Sequence, residues 1–140
     1  MLIRIDQSAP DPLYRQIRDQ IVAALASGEL APGNTLPSVR SLASDLGINL
    51  HTVNKAYALL RDEGYVVMRG RSGAVIADTQ RAASSERLFA AEHSLARDLR
   101  KLAIEYKSRG GSEQHFTKLA ESAAREVFSS TVDSSARSRI

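Results

Sequence analysis

Three features of the 140-residue sequence predict a mainly α-helical fold with a small β-hairpin wing. Two short amphipathic stretches meet across a very tight turn, as in a helix-turn-helix. Two apolar segments around a glycine-rich tip follow directly, which is the pattern of a hairpin. Further on, apolar residues recur only at helical spacing, in two runs broken by Gly110-Gly111. The expected architecture is an N-terminal winged helix-turn-helix followed by a two-helix C-terminal dimerisation region.

Ile3 and Ile5 alternate with Arg4 and Asp6, a short strand able only to add an edge to something else. The first helix is bracketed by Asp11 as N-cap, Pro12 at its first position and Gly28 past its end. Leu13, Ile17, Ile21 and Leu25 form its apolar stripe. Pro32-Gly33 is a tight turn, and Leu36 is extended because Pro37 follows it. Ser38 caps a second helix with Val39, Leu42, Ala43 and Leu46 inward and Gly47 as its stop. Asn49 caps a third, in which Val53, Ala56, Tyr57 and Leu60 repeat the pattern until Gly64.

The hairpin pairs Tyr65-Val66-Val67-Met68 with Ala74-Val75-Ile76-Ala77 across Arg69-Gly70-Arg71-Ser72-Gly73. Leu88, Leu95, Leu99, Leu102 and Tyr106 then mark a long helix. Ser112 caps a last one carrying Phe116, Leu119, Ala120, Ala123 and Val127. The expected layout is a winged unit over 1–79, with the helix-turn-helix at about 38–63 and the wing at 65–77. A linker over 80–87, helices over 88–128 and a disordered Ser/Arg-rich tail over 129–140 complete it.

Cysteine is absent, which excludes disulfides and thiolate metal sites, and His51, His93 and His115 lack ligand spacing. No metal or cofactor is expected. The longest apolar run, Ile21 to Ala26, is far too short for a membrane span, and the start lacks a signal-peptide core, so a cytoplasmic protein is expected. No nucleophile stands beside a base and no phosphate loop precedes a helix, so no enzymatic reading arises. The net charge of +3 decides little, because residues 1–79 carry eight basic and eight acidic side chains.

Placement matters more than sum. A recognition helix enters the DNA major groove with the residues near its N-terminus reaching base edges. On the third helix Leu50, His51, Thr52, Asn54 and Lys55 face away from the apolar stripe. Asn54 suits an adenine edge and His51 an acceptor such as guanine N7. Arg40 in the second helix can make a forked contact with phosphate or guanine. Arg69 and Arg71 around Gly70 form a slim cationic tip suited to the minor groove or to phosphates.

The run from Pro12 to Ile76, with PLYRQI, GELAPGNTLPSVRSLASDLG, TVNKAYALLRDEG and RGRSGAV, resembles the DNA-binding domain of the GntR family of bacterial regulators. The helical remainder resembles the YtrA-like subfamily, whose members are dimers. The resemblance implies that Ser38, Arg40, the residues around Thr52 and the wing glycine Gly70 contact DNA. Val39 and Ser41 depart from it where acidic residues are common, and Leu50 stands where many relatives carry a basic or polar side chain. That shifts expected base readout to His51 and Asn54.

The expected function is a sequence-specific transcriptional regulator, a repressor that binds a palindromic operator as a homodimer. The dimer interface is expected to use Leu88, Leu95, Leu99, Leu102, Tyr106, Phe116, Leu119, Ala123 and Val127. The alternatives are an effector-responsive regulator with its pocket at the dimer interface, and a winged-helix protein-interaction module. Two helices of one chain are expected to have no room for such a pocket.

Overall fold

In the computed structural model the described residues are 2–70, 73–78 and 85–137, with side chains as far as residue 129. Arg71 and Ser72 of the expected wing tip, Thr79 and residues 80–84 of the expected linker lie outside them. The chain divides into two units, Met1–Thr79 and Gln80–Ile140.

The first unit orders three helices and a hairpin: α1 (Leu13–Ser27), α2 (Val39–Leu46), α3 (Leu50–Asp62), β1 (Val66–Met68) and β2 (Ala74–Ile76). Its centre is the fully buried quartet Ile17 and Ile21 of α1 with Val53 and Leu60 of α3. Leu42 and Ala43 of α2 and Val66, Ala74 and Ile76 of the hairpin close over them. Each fully buried aliphatic side chain contributes roughly 1.5–3 kcal/mol, so this stripe-on-stripe packing sets the helix arrangement.

The helix ends follow from glycine chemistry. At α2 the Gly47 amide donates to the Ser44 carbonyl at 3.2 Å and the Ile48 amide to Ala43 at 3.1 Å. At α3 Gly64 and Tyr65 repeat this pair of bonds on Arg61 and Leu60. Gly47 and Gly64 sit at φ 65° and 88°, the left-handed turn in which a side chain is strained. The apolar residue after each glycine, Ile48 or Tyr65, then packs back on the core.

The start of α1 differs from expectation. Pro12 itself takes the cap position at φ −56°, ψ 146°, with no side-chain cap, and its carbonyl accepts the Arg15 and Gln16 amides at 3.0 and 3.1 Å. Asp11 is displaced outward, and its carbonyl instead accepts from Gln16 Nε2 at 2.9 Å.

The segment around Ile3 and Ile5 is not a strand. Two glutamine amides of α1 occupy the place of a neighbouring strand. Gln20 accepts from the Arg4 amide at 2.9 Å and donates to the Arg4 carbonyl at 2.6 Å. Gln16 does the same for Asp6 at 2.9 and 2.8 Å. Ile3 is thereby turned into the core.

The hairpin pairs Val66 with Ile76, Val67 with Val75 and Met68 with Ala74. Residues 33–36 line the other edge of β2. Leu36 donates to Ala74 at 2.9 Å, Ile76 to Asn34 at 2.8 Å and Gly33 to Ile76 at 2.9 Å, so the wing is held from both sides.

The second unit contains α4 (Ser85–Ser108) and α5 (Glu113–Arg137). Residues 85–87, expected in the linker, already belong to α4, with Glu86 in its first turn, where an acidic side chain favours the helix dipole. Residues 129–137, expected as a disordered tail, continue α5; they contain no glycine or proline to end it. Between the helices Gly110, at φ 93°, donates to Lys107 at 3.0 Å while Gly111 donates to Tyr106 at 2.9 Å. Ser112 caps α5 by accepting the His115 amide at 3.2 Å.

The two glycines of this turn are required for different reasons. Gly110 has open space but a left-handed backbone, whereas a Cβ on Gly111 would overlap the Tyr106 ring. Gly110→Ala and Gly111→Ala are each expected to destabilise the second unit by roughly 1 kcal/mol, read by denaturant unfolding. Adding Tyr106→Ala rescues Gly111→Ala and leaves Gly110→Ala unrescued.

Candidate nucleic-acid interface

Both helices of the helix-turn-helix begin on side-chain caps. The Ser38 hydroxyl accepts the Ser41 amide at 3.1 Å, and Asn49 Oδ1 accepts the His51 amide at 2.8 Å. Such caps contribute about 1 kcal/mol apiece and fix which residues form each first turn. The buried Tyr57 of α3 donates its hydroxyl to the Pro37 carbonyl at 2.7 Å, just ahead of the Ser38 cap. That bond ties the middle of α3 to the start of α2. Burial pushes the Tyr57 phenol up to about 12.

The expected contact residues of the two helices fall in the first two turns after these caps. Arg40 is exposed at the second position of α2. His51, Asn54 and Lys55 are exposed on α3, and their i, i+3, i+4 spacing gives them one face. Thr52 is half-buried beside them. Ser38 is exposed, but its oxygen is engaged as the cap. On the wing, Arg69 and Gly70 are exposed; the Arg69 amide donates to the Gly73 carbonyl at 2.9 Å and Gly70 sits at φ 50°.

Charge is unevenly placed within the neutral unit. Arg18 of α1 pairs with Glu63, its Nη2 lying 2.5 Å from Oε2, and also reaches Asp19 at 2.9 Å. Glu63 holds the Arg18 guanidinium well above its ordinary range. Arg61 pairs with Asp62 at 3.3 Å. The acidic Asp62 and Glu63 thus lie at the far end of α3, about 16 Å along the helix from His51, and are engaged with arginines. Arg40, Lys55 and Arg69 have no carboxylate against them among the described residues.

One contributor was missed from the sequence. The Lys55 ammonium lies over the Tyr14 ring, 4.1 Å from its centre, with the Arg15 guanidinium at 5.9 Å. A cation over a ring gains roughly 0.5–1 kcal/mol at an exposed site, so Tyr14 fixes where Lys55 points. Its signal in the sequence is the i, i+3, i+7 row Tyr14, Ile17, Ile21, which the Leu13 stripe obscured.

Comparison with known proteins points one way. Residues 13–76 match the family described as bacterial regulatory proteins, gntR family. The HTH-type transcriptional repressor YtrA of Bacillus subtilis is 42% identical over 71 residues, covering 50% of this chain and 55% of the repressor. The solved structure of YtrA from Sulfolobus acidocaldarius, a GntR-family transcription factor, is 41% identical and covers 70% of this chain and 99% of that one, with a TM-score of 0.54. A transcriptional antiterminator from Listeria monocytogenes, 25% identical, covers 91% of this chain and 93% of its own, with a TM-score of 0.76. The chain spans less than two thirds of the length of the curated relatives it matches, 55% in the case of the Bacillus subtilis repressor.

Tyr57→Phe removes the bond to Pro37 and is expected to cost about 1 kcal/mol, measured by urea unfolding. The wild-type phenol ionises near pH 12 when folded and near pH 10 when unfolded. Its stabilisation is therefore complete below pH 10 and is lost as pH rises from 10 to 12. Tyr57→Phe lacks that part of the alkaline decline.

Proposed function

The chain belongs to the gntR family of bacterial regulatory proteins, and from that premise we propose that it is a transcriptional repressor that binds a palindromic operator as a homodimer. The observation that carries this reading is the set of exposed Arg40, His51, Asn54 and Lys55 in the first two turns of the two capped helices, with Asp19, Asp62 and Glu63 engaged by Arg18 and Arg61. In this reading α3 lies in the major groove, where Asn54 pairs with an adenine edge and His51 donates to guanine N7. Arg40 and Lys55 contact phosphates, Ser38 and Thr52 approach the same backbone, and Arg69 and Gly70 bring the wing to the adjacent groove.

The second unit supports pairing of two copies. Leu88, Leu95, Leu99, Leu102, Leu119 and Val127 are exposed, and α4 buries none of its residues. Apolar surface on that scale marks an association site. Ala123 adds to it, while Tyr106 and Phe116 are half-buried at the turn with ring centres 6.1 Å apart. A twofold dimer sets its two recognition helices about 34 Å apart or a multiple of that, which is why the operator is palindromic. Repression is supported by the name of the Bacillus subtilis relative.

A second reading, an effector-responsive regulator, is favoured by one observation. Contrary to expectation, a single copy has a hollow of about 350 Å³ at the α4–α5 turn, lined by Ala103, Tyr106, Lys107, Gly111, Glu113 and Phe116. That volume is at the low end for a small ligand. A ligand-dependent change in DNA affinity is its sign.

Selection from a random duplex library is expected to recover an inverted repeat, and recovery of no sequence overturns the reading. On the selected site, Arg40→Ala and Lys55→Ala each lower the slope of log affinity against log salt by about 1. Leu99→Lys with Leu102→Lys gives a monomer by sedimentation and weakens operator binding.

A further inference from the structure

Leu50 is the one large apolar side chain exposed on the helix-turn-helix among the described residues, 41% accessible at the first position of α3. It takes no part in the core or in the apolar layer around it, which uses Leu46 and Ile48 on one side and Val53 on the other. The Asn49 cap fixes position 50 as the opening residue of the helix. A Cβ there tilts toward the helix N-terminus, the end that carries exposed His51 and Asn54. An apolar group among polar ones, at the end of a helix that enters the major groove, meets only one apolar feature on the base edges, the 5-methyl of thymine.

We propose that Leu50 is a specificity-determining residue that selects a thymine by packing on its 5-methyl group. This rests on the DNA-binding reading of α3 and deepens it. His51 and Asn54 supply the hydrogen-bonding part of the readout, and Leu50 supplies discrimination that no hydrogen bond gives. A polar side chain at position 50 would read an acceptor or donor instead. The leucine therefore changes which base is preferred rather than removing readout from that position.

The experiment uses the full chain and the duplex it selects from a random library. Each thymine of the selected site is replaced in turn by deoxyuridine, which removes only the methyl group and keeps the Watson–Crick pair. Wild type is expected to lose about fourfold in affinity at one thymine per half-site, the effect of losing one buried methyl. Leu50→Ala binds the thymine and deoxyuridine duplexes equally, and Leu50→Asn does so as well while melting like wild type.

A selected site without thymine, a wild type indifferent to every replacement, or a Leu50→Ala protein that keeps the fourfold preference overturns the proposal while leaving DNA binding intact. Failure to select any sequence overturns the DNA-binding reading and the proposal with it.

Discussion

The packing of Ile17 and Ile21 on Val53 and Leu60 is the constraint from which the first unit follows. These four side chains have no solvent exposure, and a close-packed contact of this kind admits one rotation of α3 about its axis. Once Val53, Ala56, Tyr57 and Leu60 point inward, His51, Asn54 and Lys55 have nowhere to go but outward. The outward face is thus a by-product of the inward one.

Polar bonds then set the parts that packing leaves free. Tyr57 donates to the Pro37 carbonyl at the start of α2, so the two helices are tied by a directional bond as well as by apolar contact. Residues 33–36 give β2 a second hydrogen-bonded neighbour, which steadies a hairpin too short to be stable alone. Ion pairs on Arg18 and Arg61 take up Asp19, Asp62 and Glu63. Among the described residues of a unit with no net charge, Arg40, Lys55 and Arg69 are left with no carboxylate against them.

Much of this was legible because it is local. Glycine stops, Ser38 and Asn49 caps and the helical stripes are written in consecutive residues, and helix boundaries in the helix-turn-helix came out within a residue or two. What stayed hidden depends on partners far along the chain. The alternation of Ile3 and Ile5 reads as a strand because a backbone held by side-chain amides has the same alternation as one held by a strand. Tyr14 went unnoticed because its partner Lys55 lies on another helix. At the start of α1, aspartate is the better cap by propensity, yet Pro12 occupies the position because its locked φ suits an extended cap as well as a helical first turn. The helices of the second unit run past their expected ends because polar residues do not stop a helix where no glycine or proline breaks it.

The glutamine ladder along α1 has a consequence for how freely the first residues can vary. Gln16 and Gln20 each use one donor and one acceptor on the main chain of residues ten and sixteen positions away, and neither touches the side chains of Arg4 or Asp6 through these bonds. At positions 4 and 6 any residue that keeps its amide hydrogen preserves these two bonds and proline removes one, although at position 6 the aspartate also accepts from the Ser8 amide and hydroxyl at 3.0 and 2.6 Å. At 16 and 20 the tolerance is reversed. Glutamate has the same shape but no donor, and it would set a charge against a carbonyl oxygen. Beyond the burial of Ile3, the information that places this segment is therefore stored outside it, in two amides on a neighbouring helix.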